Sequence, residues 1–122
     1  MKRTVLLLSM ATLMIAGALG HVFAPEMYSP MIPDFINSTL AHVTSVLLEI
    51  GIGIALLHPK YRHVGGLGFM LLMLGFLPIH IWDVFRETPA IGPFPAAAIR
   101  LVFQFILIYM GYWVFKTYRA ST

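Results

Sequence analysis

The sequence predicts an all-α integral membrane protein: a four-helix up-down bundle with both termini cytoplasmic and a short interfacial segment between helices 1 and 2. Three observations predict it. Of 122 residues, 59% are hydrophobic and 11% charged, which is too little polar surface for an ordinary soluble domain. The apolar residues gather into four stretches, at about 5–20, 39–57, 64–83 and 96–115, each near the roughly 20 residues a helix needs to cross the hydrocarbon core. Lys2, Arg3, Lys60, Arg62, Lys116 and Arg119 fall on the side of the termini, and only Arg86 and Arg100 fall on the other, which is the bias of cytoplasmic over outer segments. Residues 1–122 are therefore read as a single transmembrane domain with no room for a soluble one.

The first span follows Lys2 and Arg3 and is rich in Leu, Met and Ala. A secretory signal peptide is the competing reading, with Val22-Phe23-Ala24 as its cleavage site. Pro25 should block cleavage there, so the stretch is expected to stay as a span. Ser9, Thr12, Ala16 and Gly20 form a small-residue stripe suited to close helix packing. His21 to Ser38 contains Pro25, Pro30 and Pro33 and no Lys or Arg. It also carries Phe23, Met27, Tyr28, Met31, Ile32, Phe35 and Ile36, too many apolar residues for a solvated loop. A short interfacial or re-entrant segment capping the bundle is expected, with Asn37 or Ser38 as the N-cap of the next helix.

The second span carries Glu49 near mid-bilayer. A carboxylate there costs about 2.5 kcal/mol or more, so it should face protein and find a partner or take up a proton. His42, Ser45 and Glu49 share one helical face, which must look inward. Gly51 and Gly53 are read as thinning this helix for packing, and Pro59 as ending it before a basic turn, His58 to His63. The third span has Gly65, Gly68 and Gly75 close to one face and ends in Pro78, His80, Trp82 and Asp83, the composition of an interface. After a Pro- and Gly-rich outer loop, the fourth span carries Arg100 and Gln104 on one face, with Tyr112, Trp113 and Tyr118 at its inner end.

With this topology His21, His42, Glu49, His80, Asp83, Arg100 and Gln104 all fall in the outer half or at its rim. They are the candidate ligand-binding site or buried polar network. The absence of cysteine excludes disulfides, thiolate metal sites and thiol redox chemistry within the chain. The net charge of +3 is spread in short pairs at helix ends, where it faces lipid headgroups, and no nucleic-acid partner is implied. No phosphate-binding glycine loop, nucleophile elbow or HExxH motif is present, so catalysis by this chain alone is not expected. Four short spans also offer little of the matched, interrupted helices of a transporter.

Gly20-His21-Val22-Phe23 with Pro25, Ile32-Pro33, Leu48-Glu49-Ile50-Gly51-Ile52-Gly53, His58-Pro59-Lys60-Tyr61-Arg62, Phe76-Leu77-Pro78-Ile79-His80 and Ile99-Arg100-Leu101 with Gln104 span nearly the whole chain. Together they resemble the small DoxX-like four-helix membrane proteins of bacteria. The resemblance implies a multi-pass protein of the bacterial cytoplasmic membrane. It also implies a link to quinone-dependent sulfur oxidation and respiratory oxidases, from which the family takes its name. This chain departs from the thiol-linked branches of that family in having no cysteine.

Two uses of the polar cluster stay open on the sequence. In the first, His80 or His21 hydrogen-bonds the carbonyl of a quinone or other amphipathic ligand, Glu49 relays a proton and Arg100 holds Glu49 ionised; imidazole both donates and accepts near neutral pH, and pairing and burial together set a carboxylate's pKa. In the second, Glu49, Arg100, Gln104 and a histidine form a buried network that pins the helices and binds nothing. Haem held by two of His21, His42 and His80 is a third arrangement, disfavoured because histidines at helix ends more often make interfacial hydrogen bonds. The expectation is an accessory or ligand-binding component of a membrane redox assembly, with neighbouring subunits or further copies of the chain as partners. The alternative is a purely structural subunit without a ligand.

Overall fold

The computed structural model describes residues 1–121. Among them the regular structure is wholly helical: α1 (Lys2–Phe23), α2 (Ser38–Leu57), α3 (Arg62–Phe85) and α4 (Phe94–Arg119), with short 3-10 turns at Pro25–Met27, Ser29–Met31 and Pro59–Tyr61. All four helices are long and apolar enough to cross a membrane, which makes this a multi-pass membrane protein. Many of their large side chains point outward, among them Leu47, Val102, Phe103 and Phe105, as a chain solvated by lipid requires.

The helix limits follow from local chemistry. Asn37 caps α2, its side-chain oxygen accepting from the Leu40 N–H at 2.9 Å, which satisfies one of the donors that a helix start leaves free. Leu57 ends α2 because His58 precedes Pro59 and is pushed to an extended conformation, with ψ of 119°. Pro78 lies inside α3, which continues to Phe85; its missing N–H leaves one carbonyl without its helical donor. α4 opens with Pro95 in its first turn, where the absent N–H costs nothing. The connection before it turns at Gly92, whose φ of 74° favours glycine.

Leu7, Met10 and Met14 of α1, Ile52 and Leu56 of α2, Phe69 and Met73 of α3 and Val114 of α4 form the core. Helices α3 and α4 approach each other closely. A Cβ on Gly66 would lie 2.6 Å from the Phe115 backbone nitrogen, and one on Gly111 2.7 Å from that of Met70. Without lipid-excluded area to gain between helices, such close backbone contact is what holds them together.

Three packing expectations change. The stripe of Ser9, Thr12 and Ala16 does not pack inside the chain: these residues are exposed and lie in a shallow outward groove of α1. Only Gly20 of the four meets a neighbour, the Tyr28 ring. Gly51 and Gly75 face nothing within 4 Å, whereas Gly53 meets Ile15, Gly65 the Leu56 backbone and Gly68 Ile52. Spacing on a helix identifies a face but not its neighbour, and here the faces of Gly51 and Gly75 look outward.

Candidate ligand site

A cavity of about 310 Å³ lies where His21 of α1, the 24–37 segment, α2, α3 and the start of α4 meet. The 24–37 segment roofs it with Met27, Tyr28, Met31, Ile32, Pro33 and Ile36. Its walls are Ala41, Ser45 and Glu49 from α2, Phe76, Ile79 and His80 from α3, Ile91 and Arg100. The accessible wall is almost entirely apolar. Of the seven candidate residues, His21, Glu49, His80 and Arg100 line it.

The remaining three lie behind or beside it. His42 is joined to His21, with the two Nδ1 atoms 2.8 Å apart, so one ring must donate and the other accept. His21 also stacks on Tyr28, with centroids 3.9 Å apart, which fixes the roof to the end of α1. The Tyr28 hydroxyl is raised above its ordinary pKa by burial and then by the neighbouring Glu49, so it remains protonated through the neutral range. Asp83, 1% exposed, stands behind Arg100: its Oδ2 accepts from Arg100 Nη2 at 2.9 Å and its Oδ1 from the Ala90 N–H at 2.7 Å. Arg100 Nη1 donates to the Ile91 carbonyl at 2.7 Å. Gln104 is deeper in the α3–α4 seam, donating to the Met73 carbonyl at 2.6 Å.

The expected association of Glu49 with Arg100 and Gln104 therefore does not form. Depth is the reason. Glu49 is eleven residues after the start of α2, about 16 Å along the helix axis, and Arg100 six residues into α4, about 9 Å, by the helical rise. Asp83 is two residues from the end of α3, and a long arginine side chain reaches outward to such a site more readily than inward. Glu49 instead folds against α1, where a Cβ on Gly17 would lie 2.7 Å from its Oε1. Among the described residues it has no ion pair. Its Oε2, His80 Nδ1 and Arg100 Nε are all buried without a hydrogen-bond partner. A buried polar atom left unpaired costs about 1–3 kcal/mol, so three of them around one cavity need an explanation.

Sequence reading did not single out Arg86 as part of this region. Its Nη1 donates to the Pro30 carbonyl at 2.8 Å and lies 3.5 Å from Asp83 Oδ1, and its guanidinium covers Trp82 at 4.4 Å. It latches the roof to the end of α3. A signal for it existed: with Arg100 it is one of only two Lys or Arg residues between α3 and the first turns of α4, and it lies three positions after Asp83. Its target is a backbone carbonyl, which has no sequence signature. We expect Arg86→Ala to speed amide hydrogen exchange across residues 24–37 while the core of α1–α4 stays protected; unchanged exchange in that segment would remove the latch from the account.

Among the described residues, no three of His, Asp and Glu gather so as to hold a metal ion. Residues 10–115 match the model of a family described as a domain of unknown function, DUF8561. The chain belongs to that family. No curated protein and no solved structure matches it. The family match extends from Met10 of α1 to Phe115 in the last turns of α4, so the polar residues of the cavity all lie within it.

Proposed function

We propose that this is a DoxX-like protein of the bacterial cytoplasmic membrane that holds a quinone or other amphipathic molecule, as an accessory component of a membrane redox assembly. The arrangement intended is an up-down bundle with both termini cytoplasmic. Two features support that arrangement: Ile15 meets Gly53 while His21 meets His42, and the basic residues are biased to one end.

The observation that carries the ligand reading is the cavity itself, apolar over its accessible wall, with an unpaired polar atom on Glu49, His80 and Arg100. The residues fit a quinone: Phe76, Ile79, Met31 and Ile32 suit a ring and an apolar chain, and Arg100 Nε–H and His80 Nδ1 offer hydrogen bonds to carbonyl oxygens. Glu49 Oε2 supplies an acceptor for a hydroxyl. When bound, such a group would supply two-electron chemistry; the chain's own part is to bind, orient and exclude water. The structural alternative accounts for Asp83, for the Arg100 terminal nitrogens and for Gln104, which already tie α3 to α4. It leaves Glu49 and His80 without a role.

Purification in mild detergent followed by native mass spectrometry tests the reading. A lipid-soluble molecule retained one per chain is expected, with affinity about tenfold lower in Glu49→Gln, the effect of one lost hydrogen bond to a buried group. Glu49→Gln should fold as the parent does, since it keeps the shape of the side chain and adds no charge. A ligand-free, folded chain that copurifies with other subunits would support the structural reading instead.

A further inference from the structure

We infer that the end of the molecule opposite the cavity carries a seat for the headgroup of an anionic phospholipid, between the α2–α3 turn and the last turns of α4. The sequence places Lys60, Arg62, His58 and His63 in that turn and Lys116 near the end of α4, and the fold brings the two together: the Arg62 guanidinium lies 5.5 Å from the centre of the Tyr118 ring. Lys60 and Lys116 are placed in the same way over Tyr61 and Tyr112, each at 5.6 Å. An aromatic face holds a cation in position but leaves its charge uncompensated.

Among the described residues no acidic side chain pairs with these charges. The five acidic residues of the chain are Glu26, Asp34, Glu49, Asp83 and Glu87, none of them in the turn or the last turns of α4. Among the described residues both ion pairs are formed by Asp83, at the other end. In addition, Arg62 Nε and His63 Nδ1 are buried without a hydrogen-bond partner. Arg62 and His63 thus each keep a nitrogen without a partner, and the charges of Arg62, Lys60 and Lys116 are offset by no acidic side chain among the described residues, which is the composition of an anion seat.

The surroundings select a lipid over a free ion. Leu57, Tyr61, Val64 and Tyr112 are exposed around the basic residues, on helices that cross a membrane. A molecule with a phosphate at this level and acyl chains along those side chains satisfies both parts, and a planar guanidinium matches phosphate oxygens two at a time. The inference does not depend on what the cavity binds.

The test uses the full chain in mild detergent with phosphatidylglycerol, phosphatidylcholine and inorganic phosphate as separate probes, read by native mass spectrometry and thermal melting. Phosphatidylglycerol is expected to be retained and to raise the melting temperature, and phosphatidylcholine and phosphate are not. Lys60→Gln and Lys116→Gln are exposed changes that leave the core intact; each should weaken phosphatidylglycerol about fivefold, from roughly 1 kcal/mol per basic residue near an anionic surface. Arg62→Lys should retain part of the affinity, and Glu49→Gln all of it. Equal retention of the two lipids, or phosphatidylglycerol binding unchanged in the double Lys variant, overturns the inference. Stabilisation by phosphate alone would assign a soluble-anion site and overturn the lipid.

Discussion

Asp83→Ala is expected to destabilise the bundle by about 3 kcal/mol, the largest effect of any single polar substitution in this chain. The carboxylate is almost fully buried and serves three groups at once: Arg100 Nη2 at 2.9 Å, the Ala90 N–H at 2.7 Å and Arg86 at 3.5 Å. Removing one member of a buried pair leaves the other's charge uncompensated, which costs about 3–5 kcal/mol. The Arg100 side chain is 27% exposed, so water relieves part of the loss and the lower end applies. The α3–α4 connection would loosen with it, because Ala90 and Ile91 are held through the same pair. Asp83→Asn combined with Arg100→Gln should recover more than half of the loss, since neither variant side chain is charged. Thermal melting in detergent across this set checks the claim, and it fails if Asp83→Ala melts within error of the parent.

The second large effect concerns backbone contact. Gly66→Ala should cost about 2 kcal/mol, in the range found for overpacked cores. The added Cβ would lie 2.6 Å from the Phe115 nitrogen and 3.0 Å from the Gly111 carbonyl oxygen, and backbone atoms cannot swing aside as a side-chain tip can. The two helices must separate, and Gly66→Leu should separate them further. Gly75→Ala is the matched control on the same helix. Nothing lies within 4 Å of its Cβ position, so the change should be neutral or stabilising by up to about 1 kcal/mol through helix propensity. Equal melting temperatures for Gly66→Ala and Gly75→Ala would contradict the close α3–α4 contact.

The number of helices and the inward look of part of the α2 face were legible because the bilayer imposes a length and makes charge costly. Four apolar runs of about twenty residues admit few alternatives, and Glu49 in one of them has to be buried. A cap at Asn37 or Ser38, of which the structure uses Asn37, and Pro59 as a stop were legible because both act on neighbouring backbone. What the sequence did not carry was which polar group meets which. Arg100 had a deep acid and a shallow one available, and only the relative axial placement of α2, α3 and α4 decides for Asp83. Arg86 bonding to the Pro30 carbonyl was invisible for a different reason: a backbone acceptor has no residue type. The glycines show the same limit, since Gly66 and Gly75 differ only in what happens to lie opposite.

The central claim is that the cavity under the 24–37 segment receives an amphipathic molecule. A short-chain quinone carrying a photoreactive group, irradiated with the purified chain and mapped by mass spectrometry of the fragments, tests it most directly. Labelling is expected on Met27, Met31, Phe76 and Ile79, suppressed by excess unlabelled quinone and weakened in Glu49→Gln. Labelling spread over outward residues such as Leu47, Phe103 and Phe105 in proportion to their exposure, and unaffected by competitor, would contradict it.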